Sequence, residues 1–310
     1  MFVSYRRKWT EMEENMKSGF VSLVGRPNVG KSTLLNNILG KKVAITSAKP
    51  QTTRNIIQGI YNEDDTQIVF VDTPGIHKPN HKLGKILNKG AYYSIDDVDV
   101  VTFLVDGQAG LGKGDEYIIE KFKTLDKPVI LVINKIDGLS KEEIFKKITE
   151  YKDLYNWSDI VPVSALKSKN TEELLKVLKG YLPDSIKYFD ENQITNRSTE
   201  FMISELIREK VFNLTNEEVP HSITCIVEQI IKDKDKTIIN AAIIVDRDSL
   251  KKIIIGKNGD MVKKIGTLAR KDIEELLGTK VYLELYVKTI KKWRDKEKYL
   301  TELGYNDFLE

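Results

Sequence analysis

The sequence predicts an α/β domain with a mostly parallel sheet, followed by a smaller α+β domain. Three observations predict it. Between residues 20 and 181, short apolar runs alternate with segments of helical spacing, the pattern of strands covered by helices on both faces. The first apolar run ends at a glycine-framed turn that opens directly into a helix. From residue 185 to 199 the chain turns polar and aperiodic, and a different order of elements follows. A chain of 310 residues suits about two domains of roughly 150 residues each.

The elements follow in order. Residues 20–24 are a buried strand, and residues 31–39 a helix that stops at Gly40. Residues 55–61 and 67–71 flank the polar turn Asn62-Glu63-Asp64-Asp65 and read as a hairpin. Residues 98–105, 128–133 and 160–163 are three more apolar strands, followed by helices over 115–124, 141–155 and 171–181. Leu182-Pro183-Asp184 closes a first domain of residues 18–183, and residues 184–199 read as a linker. The second domain, 200–310, opens on a helix carrying Phe201, Ile203, Leu206, Ile207 and Val211. Strands over 222–231 and 237–245 surround a charged tip at 232–236. A short helix, the turn Gly256-Lys257-Asn258-Gly259, a helix over 260–277 and a strand over 280–287 complete it. In the charged C-terminal stretch, Trp293, Leu300, Leu303 and Tyr305 are docking points.

Composition narrows the classes. Lysine and arginine total 49 against 46 acidic residues, a net charge of +3, so a nucleic-acid surface has to be a local patch. The single cysteine, Cys225, alternates with apolar neighbours and reads as a buried strand residue in a reducing compartment. No apolar run approaches the ~20 residues of a membrane-spanning helix. The expected location is cytoplasmic, compatible with peripheral association at the inner face of the cell membrane. Residues 1–17 read as an N-terminal extension, and the purine-rich codons compatible with Met12-Glu13-Glu14-Asn15 make Met16 the expected start.

Four motifs lie in a fixed order on loops after strands, where open α/β sheets bind ligands. Gly25-x-x-x-x-Gly30-Lys31-Ser32, between strand and helix, is a phosphate loop: glycines let the backbone wrap phosphates, and amides and a helix N-terminus supply donors. Asn28 and Thr33 lie on the same loop and helix start. Lys31 neutralises β/γ oxygens, and the Ser32 hydroxyl suits Mg²⁺. Asp72, ending a strand, suits the same ion through water, and the Gly75 amide suits a γ-phosphate. In Asn134-Lys135-Ile136-Asp137 the aspartate can accept from the guanine ring N–H and amine, a donor pair adenine lacks. Lys135 can lie along the base and Asn134 can brace the phosphate loop. In Ser164-Ala165-Leu166 the Ala165 amide can reach the guanine carbonyl. Gln51-Thr52-Thr53-Arg54 offers a threonine for Mg²⁺, and both Thr52 and Thr53 remain candidates. Lys31, Thr53 and Gly75 form the expected catalytic set. The cofactors implied are GTP or GDP and Mg²⁺.

In the second domain, Gly256 and Gly259 bring backbone close to nucleic-acid phosphates, and Lys257 and Asn258 lie between them. Lys251, Lys252, Lys263, Lys264, Arg270 and Lys271 make the neighbouring face basic. A merely solvated charged face is the competing account of these lysines.

These motifs resemble the translation-factor class of GTPases, and Gly25–Ser32 with Gln51–Arg54 and Asp72–His77 resembles the Era family. The Gly256–Gly259 region is similar to a KH domain in the order α-β-β-α-α-β. The fold implied is a P-loop GTPase domain with a mostly parallel sheet and an α+β type II KH domain, over about residues 17–305. Such GTPases often carry a glutamine after Asp-x-x-Gly to orient water. Here Ile76 holds that place, which implies slow intrinsic hydrolysis, and His77 reads as a loop residue. Asn28 matches a potassium-binding asparagine of related GTPases, so K⁺ is an expected further ion. His221, beside a proline turn, reads as structural. The resemblance implies a monomer that binds 16S rRNA near its 3′ end and assists assembly of the 30S ribosomal subunit. The alternative is a signalling GTPase whose second domain docks protein.

Overall fold

The computed structural model describes residues 16–76, 79 and 81–305. The start-site expectation and His77 fall outside the described residues. The chain divides into two compact units. The first comprises residues up to Ala44, Thr53–Lys78 and Leu87–Asn196; the second comprises Ile45–Thr52, Pro79–Ile86 and residues from Arg197 onward.

The first unit is built on a six-stranded sheet in the order β2-β3-β1-β4-β5-β6. Its strands are β1 (Lys17–Val24), β2 (Ile57–Glu63), β3 (Thr66–Asp72), β4 (Val100–Asp106), β5 (Val129–Asn134) and β6 (Asp159–Pro162). Only β2 runs antiparallel, as the hairpin reading requires. Its helices include α1 (Lys31–Leu39), α3 (Lys113–Phe122), α4 (Lys141–Lys152) and α5 (Thr171–Tyr181). One helix, α2 (Lys82–Asp96), has no counterpart in the sequence reading. Gly84 and Gly90 interrupt its pattern, yet Leu83, Leu87, Ala91 and Ile95 keep one buried face, and packing overrides the glycine penalty. The strands β4 and β5 are apolar on both faces, which is what burial between two helical layers demands.

Residues 184–196 differ from a free linker. Ile60 N donates to Ile194 O, Asn196 N to Gln58 O and the Asn62 amide to Glu191 O, so this stretch lies along the edge strand β2. Gln67, fully buried on β3, ties it further. Its Oε1 accepts from the amides of Tyr188 (2.7 Å) and Phe189 (3.0 Å), and its Nε2 donates to Phe189 O (2.8 Å). The polar composition of the segment reflects this edge pairing rather than freedom from the domain.

The second unit holds a three-stranded sheet, β7 (Ile223–Lys232), β8 (Thr237–Val245) and β9 (Val281–Thr289), antiparallel then parallel. The helices α6 (Thr199–Leu214), α7 (Asp248–Ile255) and α8 (Asp260–Leu277) pack Ile207, Leu250, Ile254, Ile265 and Ile273 with Ile239 and Ile243 of the sheet. Cys225 is buried as expected. Beyond β9 come a short turn at Trp293–Asp295 and α9 (Glu297–Glu302); Trp293 is fully buried, stacks on Tyr305 at 5.8 Å and donates Nε1 to Ser222 O at 3.1 Å. Leu300 is buried beside them.

Residues 45–52 belong with this unit, although the sequence order assigned them to the first. The buried guanidinium of Arg208 on α6 is paired with Glu205 at 2.6 Å and donates to Thr52 O at 2.5 Å. Glu209 accepts from Thr46 N, and Lys49 Nζ caps the carbonyls of Phe212 and Thr215. Carbonyls at a helix C-terminus need such partners, and a lysine 163 positions away in sequence supplies one.

Gln67→Leu is expected to strip the part-buried amides of Tyr188 and Phe189 of their acceptor and to cost about 1–3 kcal/mol in all. Thermal melting and limited proteolysis over residues 184–196 read it out; an unchanged melting point and cleavage rate would mean that Gln67 does not hold the segment.

Candidate functional site: a phosphate loop, a base pocket and a nucleic-acid groove

The loops after β1, β3, β5 and β6 converge at one edge of the six-stranded sheet. The turn after β1 runs through positive φ at Gly25, Asn28 and Gly30. A Cβ on Gly25 would lie 2.4 Å from Leu104 O, and one on Gly30 would lie 2.3 Å from the Asn134 amide nitrogen, so neither place admits a side chain. Lys31 is buried and donates to the carbonyls of Gly25 and Arg26 at 3.1 Å each. Burial pulls its pKa down to about 8, with Asp72 acting in the opposite sense. Thr33 follows, half-buried, on α1.

Ser32, Thr53 and Asp72 form a polar cluster. Ser32 Oγ donates to Asp72 Oδ2 at 2.6 Å and lies 2.9 Å from Thr53 Oγ1. Thr52 does not join it: its hydroxyl donates to Lys49 O at 2.8 Å. The two adjacent threonines thus differ in the direction of the side chain, which sequence cannot specify. Burial pushes the Asp72 carboxyl up to about 6, against Lys31, Ser32 and Thr53. Its Oδ1 is buried and has no hydrogen-bond partner among the described residues. Two hydroxyls and one carboxylate oxygen without a partner are a hard-oxygen donor set, and they fit a magnesium ion with retained waters. Gly75 lies against Pro27, where a Cβ would come within 2.7 Å of the proline nitrogen. Ile76 is buried in the hydrophobic core, so no polar side chain occupies its place.

The base pocket is held by Asn134. Its Nδ2 donates to Val29 O at 2.8 Å, the brace expected from sequence. Its Oδ1 accepts from Ala165 N at 2.9 Å. The Ala165 N–H, the group expected to reach the guanine carbonyl, is directed at Asn134 in this structure. Asp137 is exposed and accepts from Ser164 Oγ at 2.6 Å, a bond that holds its carboxyl below the usual range. Leu166 is exposed on the rim.

Several residues were missed by sequence reasoning. Lys135 is paired with Asp106 at 2.6 Å, and its carbonyl accepts from Gln108 at 3.2 Å. Burial pushes Asp106 up, but Lys135 and the amides of Gln108 and Ala109 outweigh it and keep the carboxyl low. Arg26 of the phosphate loop is paired with the buried Asp115 at 2.8 Å. The aspartate ending an apolar strand, Val105-Asp106, repeats the pattern of Val71-Asp72 and was the available signal.

In the second unit, α7 ends at Gly256 with φ 73° and ψ 178°, and α8 starts after Gly259 with φ 82°. A Cβ on Gly256 would lie 2.7 Å from that of Met261, whereas one on Gly259 would meet nothing within 4 Å. Lys252, Lys257, Asn258, Lys263, Lys264, Arg270 and Lys271 are exposed. A groove lies between α8 and β9, with Val262, Gly266, Leu283 and Leu285 apolar and Lys263, Arg270 and Tyr282 polar. Apolar walls for bases with cations for phosphates are the requirements for a single strand of nucleic acid.

Together these features define a phosphate-loop GTPase with an appended nucleic-acid-binding domain. The family model of the 50S ribosome-binding GTPase matches residues 20–135, and that of the KH domain matches residues 218–294. A variant of Aquifex aeolicus Era bound to GDP and AlF4⁻ is 43% identical, over 94% of this chain and 99% of its own, with a TM-score of 0.90. A structure of Era in complex with MgGDPNP and nucleotides 1506–1542 of 16S ribosomal RNA is 44% identical over the same shares, with a TM-score of 0.91. The chain belongs to the Era family of GTPases.

Asn134→Ala is expected to remove two buried hydrogen bonds and loosen both the phosphate loop and the Ser164–Ala165 loop. Loss of about 1–3 kcal/mol of melting stability, with faster release of a fluorescent GDP, is the expected result; unchanged release would contradict the bracing role.

Proposed function

We propose that this chain is a GTP-hydrolysing switch of the cytoplasm that binds the 3′ region of 16S ribosomal RNA and assists assembly of the small subunit. The observation that carries it is the Ser32–Thr53–Asp72 cluster beside Lys31, on the same sheet edge as Asp137 and Asn134. The rRNA target is supported by the complex of the 44% identical Era with that RNA.

In this reading the amides from Asn28 to Thr33 cradle the phosphates and Lys31 neutralises the β/γ oxygens. Ser32, Thr53 and Asp72 are the residues that would hold Mg²⁺, and the ion would supply charge neutralisation on the transferred phosphoryl group. Gly75 brings its backbone to the γ-phosphate, so the segment after β3 responds to that group's presence. Asp137 takes the guanine N–H and amine, and Lys135, steered by Asp106, lies along the base. Ile76 leaves no side chain to orient water, and positioning by backbone and cations keeps hydrolysis slow. Asn28 is the candidate ligand for K⁺; equal rates in potassium and sodium buffers would remove that assignment. The RNA strand follows the Gly256–Gly259 turn, with Lys252, Lys257 and Lys263 on its phosphates.

Lys31→Ala is expected to abolish hydrolysis, measured by phosphate release. Asp137→Asn presents a donor where guanine also donates, and should move preference toward xanthine nucleotides. Gly259→Asp adds charge into open space beside the groove; binding of a 16S 3′-end RNA across a salt series should fall at least about tenfold. Unchanged affinity in a folded Gly259→Asp protein would reject the clamp.

A further inference from the structure

Asp115 is a fully buried carboxylate that the nucleotide chemistry above does not use. It stands in the first turn of α3. One oxygen accepts from Arg26 Nε at 2.8 Å. The other accepts from Gly112 N at 3.0 Å and from the Tyr151 hydroxyl at 3.4 Å. Burial raises its pKa, so the carboxylate is held in a setting that disfavours its charge.

Arg26 is the second residue of the phosphate loop, and its side chain runs away from the phosphates. Its Nη2 donates to Gly110 O at 3.2 Å. Its stem and guanidinium pass over Gly112 and Gly114. A Cβ on Gly112 would lie 2.8 Å from Nη1, and one on Gly114 would lie 2.7 Å from Cδ. Two glycines thus make room for one arginine.

The backbone of Arg26 faces the chemistry. Its carbonyl accepts from Lys31 Nζ at 3.1 Å. The next residue, Pro27, lies against Gly75. The loop at residues 26–27 is therefore tied to α3 through Asp115 on one side and pressed by the segment after β3 on the other. Stability alone does not account for the pair, because the cost of burying Asp115 offsets much of what its attraction to the partly exposed Arg26 contributes.

We propose that Asp115, acting through Arg26, is a positioning residue for GTP hydrolysis: the pair fixes the loop backbone at Arg26–Pro27, and with it the Lys31 ammonium, relative to the reacting phosphate. It governs turnover more than affinity, since the direct ties that hold the base pocket, Asn134 to Val29 O and to Ala165 N and Lys135 to Asp106, do not pass through the pair and stay in place when it is lost. The inference rests on the GTPase reading.

The test is GTP hydrolysis by the full chain, with GDP affinity and melting point measured alongside. The variants are Arg26→Gln, Arg26→Lys, Asp115→Asn, the Arg26→Gln/Asp115→Asn double and Lys31→Ala. Arg26→Gln and Asp115→Asn should each lower kcat on the order of tenfold, because small misplacements at a reacting centre are costly. KM and GDP affinity should stay within about threefold. The double variant should fall no further than the worse single one, since all three lose the same interaction. Arg26→Lys, which keeps a cation, should recover part of kcat. The proposal is overturned if Arg26→Gln keeps kcat within about twofold whatever its melting point, if the two losses multiply, or if KM rises with kcat intact. Should Asp115→Asn fail to fold, Arg26→Gln and Arg26→Lys decide alone, since the Arg26 side chain is partly exposed. Turnover retained by Lys31→Ala would refute the phosphate-loop reading itself, independently of Arg26.

Discussion

The side-chain amide of Asn134 joins three loops that are far apart in sequence. It donates to Val29 O in the phosphate loop and accepts from Ala165 N after β6, while it belongs to the end of β5. Because Gly30 has no Cβ, the amide fits against the loop. Each loop alone would carry unsatisfied backbone groups and a strained turn. Linked through one buried amide, they hold one another in register. The phosphate site and the base pocket are thereby a single object, and the distance between them is set by the sheet.

Parallel strands make this possible. β1, β4 and β5 are neighbours that run the same way, so the loops that follow them emerge at one edge. Apolar side chains on both faces anchor the strands, and the polar groups are left to the loops. Asp72 and Asp106 each end such a strand. One sits among the hydroxyls of Ser32 and Thr53, and the other takes the ammonium of Lys135. Position at a strand end, more than residue type, gives each carboxylate its role.

The second unit solves a different problem. Its sheet needs helices on one face, and α6, α7 and α8 supply them. Between α7 and α8 the chain must reverse within four residues, which Gly256 and Gly259 permit at positive φ. The turn is thus demanded by the fold and at the same time exposes backbone beside a groove. At Gly256 the reason for glycine is space as well as φ, because Met261 fills the place of a side chain.

The motifs, the strands between them and the change of architecture near residue 200 were legible in the sequence, because each is a local pattern of periodicity or of glycine with polar residues. The helix α2 was not legible, since Gly84 and Gly90 hide a face that only burial reveals. Nor was the edge pairing of residues 184–196, whose partners lie on β2 and β3. Thr52 and Thr53 are adjacent and chemically equal, and only the packing of Arg208 on one carbonyl and Ser32 on the other's hydroxyl separates them. Sequence alone determined which nucleotide chemistry the loops can perform, because that depends on residue types within a few positions. The tertiary structure decided how those loops are braced, by Asn134 across loops and by Arg26 with Asp115. Such partners stand 31 to 105 positions apart, a range over which local pattern carries no information.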